Sequence, residues 1–175
     1  MKKAESFILS KGGKITVIAS GALTAVISLI MNIILIPKIE STTEGIRCFD
    51  MNFAYNFETA EKFLKLLSDE GRALYLNVQL PLDFIYPAAY CIFFTFLIVR
   101  LVKRVNALVV FPLMLTAFDV CENVCSIIML RSARLSQGLA AAGSAFTSIK
   151  TILMYIMFIV IIICIVFCFK NMKKA

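Results

Sequence analysis

Four apolar runs, each long enough to cross a bilayer, decide most of what this chain can become. They cover about Ile15 to Ile36, Leu74 to Val99, Ala107 to Leu130 and Ala145 to Phe169. A hydrocarbon core about 30 Å thick takes about 20 helical residues. Backbone groups in lipid must be satisfied within a helix or a closed barrel. The period-2 alternation of a barrel strand is absent, so the runs predict helices. The expected fold is therefore all-α: an integral membrane four-helix bundle in a single membrane domain over residues 1–175. Composition agrees, with 61% hydrophobic and 17% charged residues against about 45–50% and 25% in soluble domains. Pro81, Asp83 and Pro87 interrupt the second run. The first run exceeds the usual apolar length of a signal peptide, about 7–15 residues, and no A-x-A site follows, so it is expected to be a retained helix.

Lysine and arginine set the expected orientation. The N-terminal tail (Lys2, Lys3, Lys11, Lys14), the second connection (Arg100, Lys103, Arg104) and the C-terminal tail (Lys170, Lys173, Lys174) hold ten basic residues and one acid, Glu5. The first loop, residues 38–72, holds five basic and seven acidic residues. Both termini are thus expected in the cytoplasm, with the protein multi-pass in a cell membrane. The net charge of +7 is mostly this bias and implies no nucleic-acid partner.

The polar residues inside these runs carry the functional question. A single Asp at the centre of a spanning helix costs about 2.5–3.5 kcal/mol, yet TAFDVCENVC at 116–125 carries Asp119, Glu122 and Asn123. At about 1.5 Å per residue, Asp119 and Glu122 lie roughly 12–17 Å below Leu130, and Asp83 roughly 12–14 Å below Leu74. Lys150 stands near the outer end of the fourth helix and Asn32 near that of the first. Every intramembrane polar group of consequence is thereby expected in the outer half of the bilayer.

Facing agrees with depth, because residues three or four apart share a helix face. Thr116, Asp119, Glu122 and Asn123 make one stripe; Thr147, Lys150, Thr151 and Met154 make another. On the second helix Asp83, Tyr86, Pro87 and Tyr90 fall together, and Gln79, Tyr75 and Arg72 extend them toward water. Gly21, Ala25 and Ser28 form a small-residue face suited to close helix contact, leading to Asn32. A bundle with these stripes turned inward hides each polar group from lipid.

Such residues commonly line a cavity, a pathway or a substrate site; alternatively they form an internal ion-pair network that sets helix register. Three carboxylates against one ammonium leave excess negative charge, which a shared proton or a cation would balance. The chain has no histidine, which argues against zinc and non-haem iron. An oxygen set of Asp83, Asp119, Glu122 and Asn123 would suit Mg²⁺ or Ca²⁺, but these acids are few and dispersed, and no cofactor is assigned. Cys91, Cys121, Cys125, Cys164 and Cys168 fall within helices and only Cys48 lies outside; without a C-x-x-C they read as apolar packers.

In the first loop, FETAEKFLKLLSDEGR reads as an amphipathic helix. Ala60, Phe63, Leu64 and Leu67 lie on one side, Glu61, Lys62, Lys65 and Asp69 on the other, with Gly71 as the expected stop. It is either a lid over the polar residues or an interfacial connector. Residues 131–144, RSARLSQGLAAAGS, read as a small-residue loop.

The succession "EGRALY", "LDFIYPAAY", "FDVCEN" and "TSIK" resembles a group of small four-helix bacterial membrane proteins patterned G-R-x-x-Y, D-x-x-[YF]-P-x-x-Y, D-x-x-E-N and a Lys opening the last helix. The match covers roughly residues 58–155. It carries over Arg72, Tyr75, Asp83, Pro87, Tyr90, Asp119, Glu122, Asn123 and Lys150, and implies a shared site rather than a reaction. A looser, architectural likeness links the chain to the EXPERA group of sterol isomerases and lipid-binding proteins. The histidine and tryptophan expected of the isomerases are absent, so their chemistry is not implied.

The leading expectation is a cavity that binds a membrane lipid or amphipathic small molecule. Asp119 or Glu122 would serve as acid/base, the other held by Lys150, with Asp83 orienting and with Asn123, Tyr86 and Tyr90 donating hydrogen bonds. A homo-oligomeric proton-coupled transporter is the second expectation, although the inner halves of helices three and four are apolar. The third is a structural or partner subunit with a purely internal network.

Overall fold

The computed structural model describes residues 2–172; Lys173 and Lys174, counted above in the basic tail, lie outside the described residues. A short helix α1 (Lys2–Leu9) is followed by four long, apolar helices that alternate in direction: α2 (Lys11–Glu40), α4 (Asp69–Val102), α5 (Ala107–Arg131) and α6 (Gln137–Met172). Each is long and apolar enough to cross a membrane. Helix α3 (Phe57–Leu66) lies in the first connection. No strand occurs among the described residues, and the expected all-α four-helix membrane architecture is what the chain adopts.

α4 is the hub, packing on α2, α5 and α6, whereas α2 packs chiefly on α4 and is the least buried span. Prolines shape both α2 and α4. A proline lacks the N–H for its helix hydrogen bond, and its ring crowds the carbonyl four residues earlier. Pro37 and Pro81 each follow a π-helical turn, Met31–Leu35 and Tyr75–Gln79, whose middle residues Ile33 and Asn77 own those crowded carbonyls. The widened turns absorb the clash, so the helices continue to Glu40 and back to Asp69, beyond the apolar runs.

The first connection is folded core. Phe49 stacks against Tyr55, Phe63 and Tyr75, and Thr43, Cys48 and Ala60 are buried. The amphipathic face expected for α3 is real, but Ala60, Phe63 and Leu67 bury into the protein. α3 also ends at Leu66 rather than at Gly71. Ser68 accepts from the Gly71 N–H (3.0 Å) and starts α4, with Asp69 and Glu70 in its first turn; the acids favour that helix start. Burial, then the neighbouring Asp50 and Glu40 carboxylates, hold the Cys48 thiol above its ordinary range. It therefore reacts only when this cap opens.

The expected small-residue loop at 131–144 is shorter than its sequence suggests. Ser136 accepts from the Leu139 N–H (3.2 Å) and α6 runs from Gln137 onward. The small residues serve packing: Ser144 accepts from the Tyr55 N–H (2.9 Å), Ser148 donates to the Phe53 carbonyl (2.9 Å), and a side chain at Gly143 would collide with the Tyr55 hydroxyl. Cys48, Cys125 and Cys164 are buried as expected of packers, whereas Cys121 is exposed on the outer face of α5.

Arg72 locks this end of the bundle. Its guanidinium donates to the Leu64 carbonyl (2.9 Å) and to the Leu130 carbonyl, at the last turns of α3 and α5. Arg72→Met should cost about 1–3 kcal/mol through the two stranded carbonyls, and Arg72→Lys, a point donor without the fork, should recover only part. Melting by circular dichroism, with dye labelling of Cys48 as the report of cap opening, checks both.

Candidate functional site

Two apolar clusters divide the bundle. One, at the cap end, includes Met31, Phe49, Phe63, Tyr75, Leu80 and Met129. The other includes Tyr90, Phe94, Ile98, Leu115, Leu153 and Met157. Between them lies a belt of buried polar side chains: Asp83, Asp119, Glu122, Asn123 and Thr147, with Lys150, whose side chain is 15% exposed.

The belt is built from three helices. Lys150 on α6 pairs with Asp119 (3.4 Å) and with Glu122, one turn apart on α5. Tyr90 of α4 donates to the other Asp119 oxygen (2.8 Å), and Thr147 of α6 donates to the other Glu122 oxygen (2.6 Å). All four carboxylate oxygens are thus engaged. Pro87 supplies the next link, because it leaves the Asp83 carbonyl, four residues earlier, without its helix donor. Asn123 Nδ2 donates to that carbonyl (2.7 Å). Thr116 of α5 likewise reaches the Pro87 carbonyl (3.2 Å).

Asp83 differs from its neighbours. It is 95% buried, since its exposure is 5%, and its carboxylate faces a cavity of about 160 Å³. Ser28, Met31, Asn32, Asp50, Tyr86, Asp119, Lys150 and Met154 line that cavity with it. Asp50 comes from the turn Phe49–Met51 in the first connection and accepts from the Tyr75 hydroxyl (3.2 Å). A second, apolar hollow of about 500 Å³ runs between α2, α4 and α6, lined by Gly21, Thr24, Ala25, Tyr90, Phe93, Phe94 and Phe158. Ser28, Tyr86 and Met154 border both.

The residues singled out from sequence are distributed as follows. Asp83, Asp119, Lys150, Tyr86 and Asn32 share the cavity. Glu122, Asn123 and Tyr90 bind the residues around it, and Tyr75 reaches it through Asp50. Arg72 stands apart: it borders a separate surface hollow of about 440 Å³ with Glu61, Lys65, Ser132 and Arg134. Asn32 is exposed, contrary to the inward stripe; its amide donates to the Ser28 carbonyl (2.9 Å) on its own helix. On the small face of α2, Gly21 packs tightly against Phe93, and Gly21, Ala25 and Ser28 line the groove. The oxygen set Asp83, Asp119, Glu122 and Asn123 does not gather around one point, because Asn123 is directed to a backbone carbonyl. No cluster of three Asp, Glu or Cys side chains fit for a metal occurs among the described residues.

Two participants escaped the sequence reading. Asp50 lies in a single 3-10 turn with no periodic pattern to show its facing. Tyr55 sits in the cap, its phenol pushed above the ordinary range by burial and then by the Glu122 carboxylate; only the tertiary fold brings the two together. Gln79, on the same face of α4, is fully buried with its amide unpaired among the described residues.

No protein-family model, curated protein or solved structure matches this chain.

The Lys150 network makes a prediction about stability. Removing one partner of a buried ion pair costs about 3–5 kcal/mol, whereas replacing the whole set by neutral groups is often tolerated. Lys150→Met should therefore unfold or strongly destabilise the protein. The combined Lys150→Met, Asp119→Asn, Glu122→Gln variant should regain most of the lost stability, as read by melting in detergent.

Proposed function

We propose that this protein is a polytopic membrane protein that binds an amphipathic, lipid-like molecule, its polar head in the cavity beside Asp83 and its apolar tail in the groove between α2, α4 and α6. The observation that carries this reading is the adjacency of the two hollows, since Ser28, Tyr86 and Met154 border both. A cavity with carboxylates on its wall beside an apolar groove fits a molecule with both characters. The positive-inside bias supports cytoplasmic termini, which would put the head group in the outer half of the bilayer, within reach of lipids in that leaflet.

The transporter reading is less well supported. Beyond the belt, Tyr90, Ile98, Leu115 and Met157 are wholly buried, and a conduit would need polar groups at that depth as well. The structural reading holds for part of the belt. Asp119 and Glu122 spend every oxygen within the protein and fasten α4, α5 and α6 together. That role leaves Asp83 and Asp50 as the acids free to meet a ligand, and it makes binding, without acid/base chemistry at Asp119 or Glu122, the simpler account.

Native mass spectrometry of the gently extracted protein tests this. The wild type should carry a defined lipid-sized mass. Ala25→Phe, which fills the groove from the exposed side of α2, and Asp83→Asn, which removes the carboxyl group from the cavity wall, should each lose it with melting temperatures little changed. A bare wild type, or a mass that persists in both variants, would sink the reading.

A further inference from the structure

The cavity wall has a charge imbalance that identifies the kind of head group. Lys150 is the one basic side chain on the wall, and it is already shared between Asp119 and Glu122. Arg72, the other cation of the polar stripe, is turned to two backbone carbonyls. Among the described residues Asp50 receives only a neutral phenol, that of Tyr75. Asp83 is an acceptor without hydrogen bond or ion pair among the described residues, although it is 5% exposed and directed into the cavity. A buried carboxylate of this kind is costly unless a donor reaches it.

Resting on the reading of this cavity as a head-group site, we propose that the head group is a protonated primary amine, its N–H donors taken by Asp83 and Asp50. The sign follows from the wall, since an anionic head such as a phosphate would face uncompensated carboxylates. The type of cation follows from the acceptors. A quaternary ammonium has no N–H to give and is held by several aromatic faces, whereas this wall offers one ring, Tyr86, beside the carboxylates of Asp50, Asp83 and Asp119. A divalent metal ion needs ligands converging on a point, and these carboxylates ring the cavity from the first connection, α4 and α5 without forming such a cluster. The ammonium also completes the belt: it supplies the positive charge that Lys150 cannot extend to a third and fourth acid.

The test uses three probes with the same twelve-carbon tail: dodecylamine, dodecyltrimethylammonium and dodecanol. Each is titrated at neutral pH against the full chain in an uncharged detergent, with bound fractions read by native mass spectrometry. Wild type should prefer the amine over both others by about tenfold or more, the scale of one charge-assisted hydrogen bond. Asp83→Asn should abolish most of that preference. Asp50→Asn, in the cap and outside the spanning helices, should weaken the same preference and serves if Asp83→Asn fails to fold. Ala25→Phe should weaken all three probes alike. Equal binding of amine and alcohol, or of amine and trimethylammonium, would overturn the amine assignment while leaving an amphiphile site standing. Failure of all three probes to bind, or indifference of all three to Ala25→Phe, would overturn the site itself.

Discussion

Everything in this bundle is arranged around one ammonium in an apolar medium. Lys150 cannot be left alone within a spanning helix, where an unpaired charge costs several kcal/mol at least. Its two carboxylates come from successive turns of α5, and each of these takes a hydroxyl from another helix: Tyr90 on α4, Thr147 on α6. The register of three helices follows from these few bonds. Sliding α6 by one turn, about 5.4 Å, would strand two acids and a base at once, so the alternatives to this packing are expensive. Specificity of register is among the better attested uses of such buried pairs.

Prolines do the complementary work on the backbone. Pro87 frees a carbonyl that Asn123 then uses to tie α4 to α5, while Pro37 and Pro81 widen the turns before them. The two widened turns meet near the cap, close to Met31 and Asn32 on the cavity wall. π-Helical turns often mark functional sites, since they redirect side chains that a regular helix would stack. Here they border the polar cavity at the cap end, while the apolar groove begins a turn or more away, lined on α2 by Gly21, Thr24, Ala25 and Ser28.

Much of this was legible before any coordinates. Length and hydropathy alone require four spanning helices, because lipid leaves no other way to satisfy the backbone. Helical spacing placed Asp119, Glu122, Asn123 and Lys150 on facing stripes, where they are found. The same arithmetic brought Asn32 to the cavity rim but not its exposure, since the spacing of residues on a helix does not reveal which sector a neighbour will cover. It also misplaced Arg72, which turns to the carbonyls at the ends of α3 and α5. Asp50 and Tyr55 could not be read from spacing at all. Both lie in a connection whose burial comes from aromatic packing among Phe49, Phe63 and Tyr75, a tertiary event with no periodic trace. Gly71 misled in a further way: Ser68 with Asp69 and Glu70 was a stronger start signal than the glycine was a stop.

A deeper difference separates the acids from one another. In the sequence Asp83, Asp119 and Glu122 are equivalent: carboxylates at similar depth on inward stripes. Their partners make them unlike. Asp119 and Glu122 sit where α5 faces α6, so the lysine is within reach of both and their oxygens are consumed. Asp83 sits where α4 faces the gap behind α2, and Pro87 draws Asn123 to its backbone rather than to its side chain. The amide that could have donated to this carboxylate is thereby spent on the backbone of the same residue. A proline four residues downstream therefore does more than bend a helix: it decides which of three similar acids remains unsatisfied, and so where a ligand has something to gain.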